Sequence, residues 1–358
     1  MKMKDTELLS FLQYPIEQFH DRSTRWLLED KENVRGLLEI VREHLVPHID
    51  FEQLVHINRS FIPDNLREQE SDLVYTVPFQ SDTQIEELLI YILIEHQSTI
   101  DTTMGFRVLF YMTQIWDFQR REWESNNIPN SQRQLRPIIP IVFYTGEQVW
   151  KKPISLYSLM ELPELLVDFV PNFEILFLSV KDTNSAVLTK TDHSFGWLLT
   201  VLQKENATKE EIRSALIKAI QHIDTLDPEE NQQWRRAIFY LYLLILHRRP
   251  VEEHDELKSL VHQQSQNTTH KEEGEAMAQT MAEFLIEQGE KEGEKRGEKR
   301  AEIRTKKEDI IKLIHIRFET VPDTIHNKIT AIRSISRLNK LFEKIATADT
   351  LNDIDWDQ

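Results

Sequence analysis

Apolar residues recur at helical spacing over the first sixty positions. Trp26, Leu27, Leu37, Leu38, Ile40 and Val41 build one face, so residues 1–60 read as helical, with Pro47 ending or interrupting the pattern. The rhythm then shortens. Ser71-Asp72-Leu73-Val74-Tyr75-Thr76-Val77 and the run Leu88-Leu89-Ile90-Tyr91-Ile92-Leu93-Ile94 predict strands over 71–79 and 87–97. The polar turn Gln80-Ser81-Asp82-Thr83 between them suits a hairpin. Ser98 and Asp101 offer N-caps for a helix over 102–123. On that helix Val108, Leu109, Met112, Ile115 and Trp116 share one face, and Arg107, Tyr111 and Gln114 occupy the neighbouring one. A third buried strand spans 136–146, entered through Pro137 and Pro140 and closed by Gly146. A fourth covers 173–180, with a weaker helix at Leu156–Phe169 between the two. Helix, hairpin, helix, strand, helix, strand implies an α/β fold, a mixed sheet covered by helices.

From 186 to 262 the pattern becomes all-helical, with segments at 193–204, Lys209–Ile223 and 228–246. Residues 263–269 are polar and read as a linker. A tetrad repeat follows: Gly289-Glu290-Lys291-Glu292, Gly293-Glu294-Lys295-Arg296, Gly297-Glu298-Lys299-Arg300, Ala301-Glu302-Ile303-Arg304. A period of four sets like charges at i,i+4, where each pair repels by roughly 0.2–0.5 kcal/mol. Each glycine costs about 1 kcal/mol relative to alanine. A lone helix here is marginal, which leaves two readings open: a solvated connector, or a helix over 286–304 that self-associates by pairing ridges of opposite sign with an antiparallel copy. Beyond it Ile310, Ile311, Leu313, Ile314 and Phe318 resume a helical pattern, Pro322 follows, and further helices are expected over 323–347. The chain therefore divides into a core at 1–185, a helical extension at 186–262, a linker and charged helix at 263–304, and a C-terminal helical region at 305–358.

The absence of cysteine excludes disulfide frameworks, thiolate zinc sites and cysteine nucleophiles. No signal-type segment opens the chain, and its longest apolar stretches are too short and interrupted to span a bilayer, so the cytoplasm and no membrane association are expected. A net charge of −17 opposes general affinity for nucleic acid. Binding of DNA therefore requires a local basic patch together with metal ions.

The candidate chemistry lies where the second strand ends. Glu95 and Gln97 are two apart on a strand and point to one face; His96 points away and offers its backbone carbonyl. Asp72 meets Glu95 if the two strands pair. Two carboxylates and a carbonyl suffice for Mg2+ or Mn2+, which absorbs charge in phosphodiester hydrolysis. The competing reading is a strand end facing solvent, because 60 acidic residues make an Asp and a Glu at this distance easy to find.

The surrounding words narrow the choice. Ser71-Asp72-Leu73-Val74-Tyr75, Leu93-Ile94-Glu95-His96-Gln97-Ser98, Met104-Gly105-Phe106-Arg107-Val108-Leu109-Phe110-Tyr111-Met112 and Pro140-Ile141-Val142-Phe143-Tyr144-Thr145-Gly146 stand in that order. Phe19-His20-Asp21 precedes a helix, and Asp30 and Val34 follow it. This pattern resembles the Rpn (recombination-promoting nuclease), or YhgA-like putative transposase, family of the PD-(D/E)XK nuclease superfamily, most strongly over 16–185. The resemblance implies a restriction-endonuclease-like mixed sheet flanked by helices, followed by an all-helical C-terminal part. It also implies a metal-dependent DNA endonuclease that promotes breakage and recombination. By position, Asp72 and Glu95 would be metal ligands, joined by the His96 carbonyl. Gln97 stands where the superfamily usually has lysine and would orient water by hydrogen bonds alone. Thr145 stands where a histidine commonly precedes the glycine. Arg107, Tyr111 and Gln114 are candidate phosphate contacts, and His20 and Asp21 candidate contributions from the first helix. The alternative is a catalytically silent interaction module that keeps the fold. A full transposase ranks below both, because no helix-turn-helix with a basic recognition helix is evident.

Overall fold

Residues 73–81 and 84–97 form the hairpin at the centre of the sheet. In the computed structural model, residues 19–57, 73–81, 84–151, 154–226, 231–265, 268–348, 350–354 and 356 are described. At 19–21, 81, 84–91, 93, 95, 231, 262, 268–269, 282–296, 299–300 and 352 the description is of backbone alone. Strands β2 (Leu73–Ser81) and β3 (Gln84–Gln97) pair antiparallel from Leu73↔Ile94 to Ser81↔Gln84, as the hairpin reading expects. The short β1 (Val55–His56) lies antiparallel on β2, while β4 (Ile138–Tyr144) and β5 (Leu176–Ser179) extend the sheet in parallel beyond β3. The order is β1-β2-β3-β4-β5. Pro140 lies in β4 just before pairing with β5 begins at Ile141↔Leu176, where its missing N–H is tolerated.

Helices cover both faces. On one side Val74, Val142 and Tyr144 pack with Met104, Val108, Tyr111, Met112 and Ile115 of α3 (Met104–Ser125). On the other lie α1 (Phe19–Leu28) and α2 (Lys31–Arg42). Tyr75 there donates its hydroxyl to Leu28 O at 2.5 Å. The Asp30 carboxylate caps α2 by accepting from Glu32 N at 3.0 Å. Downstream come α4 (Ser185–Leu188), α5 (Ser194–Gln203), α6 (Lys209–Ile223), α7 (Asn231–Arg248) and α8 (Val251–Gln264). A reciprocal capping box between Thr208 and Glu211 starts α6.

Three expectations need correction. Residues 1–60 are not uniformly helical: α2 ends at Arg42, Pro47 sits inside a 3-10 turn at Glu43–His48, and the chain then turns into β1. The helix expected at Leu156–Phe169 does not form. Two short 3-10 segments, Tyr157–Leu159 and Glu164–Phe169, stand there instead. Pro163 separates them, and Leu165 is 89% exposed, so no face is available for an α-helix to bury. The polar stretch 263–269 holds the end of α8 and, at Thr268, the start of α9 (Thr268–Phe318), which carries the tetrads within one helix.

The chain divides into two compact units at Thr280/Met281. In the second, Ile310 and Ile314 of α9 pack with Ile329 of α10 (Asp323–Ala331) and with Leu338 and Ile345 of α11 (Ile335–Thr347).

Candidate active site at the carboxyl edge of the sheet

Because β3, β4 and β5 are parallel, their carboxyl ends share one edge, where Gln97, Tyr144 and Ser179 stand in register. Such edges are where open α/β sheets generally bind ligands. The strands remain tied past the ladder: Thr145 N–H donates to Gln97 O at 2.9 Å and Val180 N–H to Tyr144 O at 2.8 Å. Gly146 then lets the chain turn against β3. A Cβ there would run into Ser98 O and the Tyr144 ring.

The predicted tripeptide lies on this edge. Glu95 pairs with Val142, His96 with Phe143 and Gln97 with Tyr144. Val142 and Tyr144 belong to the face against α3. Gln97 is half-buried. His96 is 1% exposed, and its Nε2 shares a 2.9 Å hydrogen bond with Thr145 Oγ1. Its ring lies 5.9 Å from that of Phe143. Asp72 falls outside the described residues, as does the Glu95 side chain. His20 and Asp21 lie within the first turns of α1 rather than before it, and their side chains also fall outside the description.

Helix α3 begins close to the expected position. Asp101 organises the preceding turn, accepting from Thr103 N and Oγ1 at 2.7 Å each, and from Arg107 Nη1 at 2.8 Å. Burial works against the Asp101 carboxylate, but the Arg107 and Thr103 hydrogen bonds outweigh it and hold its pKa below the usual carboxylate value. The Arg107 guanidinium is thus engaged by Asp101, and lies 6.0 Å from the centroid of the Tyr111 ring. Tyr111 is buried in the core between α3 and the sheet, which leaves its ring little reach toward a phosphate; Gln114 is half-buried on the same helix.

A charged cluster missed from the sequence stands beside this edge. Lys181, just past β5, donates to Leu202 O at 2.8 Å and to Glu205 Oε1 at 2.7 Å, and lies 3.0 Å from Glu147 Oε1. Arg248 Nε reaches Glu205 Oε2 at 3.0 Å, and Arg249 Nη1 donates to the carbonyls of Glu205 at 2.6 Å and Ala207 at 2.9 Å. The Arg248-Arg249 pair, readable in sequence only as a basic helix end, is spent on this anchor. Burial disfavours the Glu147 carboxylate, but Lys181 and Asn206 hold its pKa below the ordinary value.

Among the described residues no group of three or more His, Asp or Glu side chains is arranged to hold a metal ion. The sequence-predicted donor set is all oxygen: the carboxylates of Asp72 and Glu95 from two neighbouring strands, and the His96 backbone carbonyl. Its chemistry fits a hard cation such as Mg2+ or Mn2+. Among the described residues no helix is long and apolar enough to cross a membrane.

Comparison with known proteins agrees with the order of the motifs. Recombination-promoting nuclease RpnC of Escherichia coli K12 is 29% identical over 154 residues, 41% of this chain and 45% of that protein. RpnD of Escherichia coli O157:H7 is 29% identical over 130 residues, 36% of this chain and 46% of its own length. RpnA of strain K12 is 30% identical over 131 residues, 36% and 40% respectively. The chain spans less than half the length of each of these curated relatives. No solved structure matches. The family model described as "Putative transposase, YhgA-like" matches residues 18–234, well over half of the chain, from α1 into α7. The chain belongs to the YhgA-like putative transposase family, alongside the Rpn recombination-promoting nucleases.

Proposed function

We propose that this protein is a metal-dependent DNA endonuclease of the PD-(D/E)XK type, acting in DNA breakage and recombination. The observation that carries the reading is the register of the central hairpin. Leu73 faces Ile94 in the last described antiparallel pair. Continuing that ladder by one pair would set Asp72 against Glu95, on the strand end already aligned with Tyr144. The names of the relatives point the same way.

In this reading Asp72, Glu95 and the His96 carbonyl hold Mg2+ or Mn2+. The ion, when bound, supplies positive charge for the phosphorane-like transition state and a more acidic water. Gln97 orients the attacking water through its amide, with no cationic charge of its own to stabilise a hydroxide. Arg107, Tyr111 and Gln114 were the candidate phosphate contacts. Of these Arg107 suits that role best, because it alone carries a cationic charge, on a side chain 18% exposed. A second reading, a nuclease fold serving as an interaction module, is favoured by Gln97 in the place of lysine.

Incubating the purified protein with supercoiled plasmid and Mg2+ tests the proposal. Nicking is expected from the wild type and not from Asp72→Ala or Glu95→Ala. Nicking retained by both variants would refute the site, and a lack of cleavage with every divalent metal and DNA form would favour the interaction module.

A further inference from the structure

Residues 95 to 97 can act together only if that end of β3 is held in one conformation, and the neighbouring strand carries the clamp. His96 is buried on the face opposite α3, beside Phe143, whose ring lies 6.2 Å from Phe195 of α5. Thr145, 2% exposed, meets the tripeptide twice. Its hydroxyl shares the 2.9 Å hydrogen bond with His96 Nε2 and lies 3.5 Å from Gln97 O, and its N–H donates to Gln97 O at 2.9 Å. One residue of the β4 exit thus holds His96 by its side chain and Gln97 by its backbone.

Alternation along a strand makes this grip consequential. A side chain locked on one face fixes the backbone from which its two neighbours project on the other. We propose that Thr145 and the His96 imidazole are positioning residues. Together they set the backbone of 95–97, and through it the Glu95 carboxylate, the His96 carbonyl and the Gln97 amide at the metal and water. The inference rests on the nuclease reading above. Neither the imidazole nor the Thr145 hydroxyl touches the reacting atoms; both act through the strand, as partners that orient metal ligands commonly do.

The hydroxyl is the discriminating atom, because valine fills nearly the same space without it. Mn2+ binding to the full chain is measured by titration calorimetry, at a temperature where each variant is folded by circular dichroism. Thr145→Val is expected to weaken Mn2+ binding about tenfold or more, the range typical of such partners, and Thr145→Ser to restore it to within about threefold. Phe195→Leu loosens packing on the same face and leaves both hydrogen bonds in place, so its Mn2+ affinity should equal that of the wild type. If Thr145→Val does not fold, Thr145→Cys, a weak donor of similar size, takes its place with the same outcomes. Wild-type affinity in Thr145→Val, or an equal loss in Phe195→Leu, overturns the clamp. Unchanged binding in Asp72→Ala instead overturns the metal site, and a wild type that binds no Mn2+ overturns both.

Discussion

Lys181 Nζ stands 2.7 Å from Glu205 Oε1, and the two side chains are only 7% and 1% exposed. Lys181 and Arg248 both reach the Glu205 carboxylate, and Arg249 grips the backbone carbonyl of the same residue. Removing one member of a buried ionic group leaves the others desolvated and uncompensated. Glu205→Ala is therefore expected to lower unfolding free energy by about 3 kcal/mol in urea titrations. Glu147 touches the same lysine at 3.0 Å but is 59% exposed, so Glu147→Ala should cost less than about 1 kcal/mol. Equal losses from the two variants would contradict the burial argument.

Asp101 carries a pH signature. Its carboxyl is held below the ordinary value in the folded protein, despite burial, by Arg107 and Thr103. A depressed folded pKa stabilises the protein above the unfolded value, about pH 3.9, and that contribution disappears as pH falls through the folded value. Asp101→Asn should thus cost about 1 kcal/mol at pH 7, discounted for partial exposure, and progressively less as pH falls below the unfolded value. Melting temperatures of the two proteins across that range check the sign. A gap that widens in acid would exclude it.

The hairpin, α3, β4 and β5 were legible because each has its own period, bounded by turn residues and glycine. Leu73 through Val77 is a run rich in β-branched and aromatic residues, and Val108, Met112 and Ile115 recur at helical spacing. The segment 156–169 misled because Leu165, Leu166 and Phe169 look like a helix face, yet Leu165 and Phe169 remain exposed and Pro163 breaks the run. The candidate site was legible as a position on a strand end, not as a set of contacts. His96 meets Thr145 across 49 residues, and Lys181 meets Glu205 across 24. Side-chain pairs at such separations leave no periodic trace in a single sequence. Thr145 was visible only as a departure from the family wording, and its hydrogen bonds to the tripeptide had no sequence signal.

Gly146 and Gly196 are two of the glycines at which another part of the chain approaches closely. A Cβ at Gly146 would meet the backbone oxygen of Ser98, and one at Gly196 would meet Leu188 O. Backbone atoms yield less readily than side-chain tips, so Gly146→Ala and Gly196→Ala should each cost roughly 1–3 kcal/mol in chemical denaturation. Gly146→Ala should also reduce plasmid nicking, because it displaces the turn that follows the Thr145 clamp; Gly196→Ala, which meets Leu188 O rather than that turn, should leave nicking by the folded fraction intact.

Gly297 behaves oppositely. It is exposed on α9, and a Cβ there meets nothing within 4 Å. Among the described residues nothing packs against this helical glycine, which costs about 1 kcal/mol relative to alanine. The self-association reading of 286–304 would supply a reason, since glycine permits close backbone approach by a second copy. Gly297→Leu separates the alternatives. Leucine is a strong helix former, so helicity by circular dichroism should rise whatever the assembly state. If a second copy packs against the glycine row, the same substitution should lower the mass measured by light scattering, as should deletion of 286–304. Higher helicity with unchanged mass in both proteins would leave the segment a solvated connector.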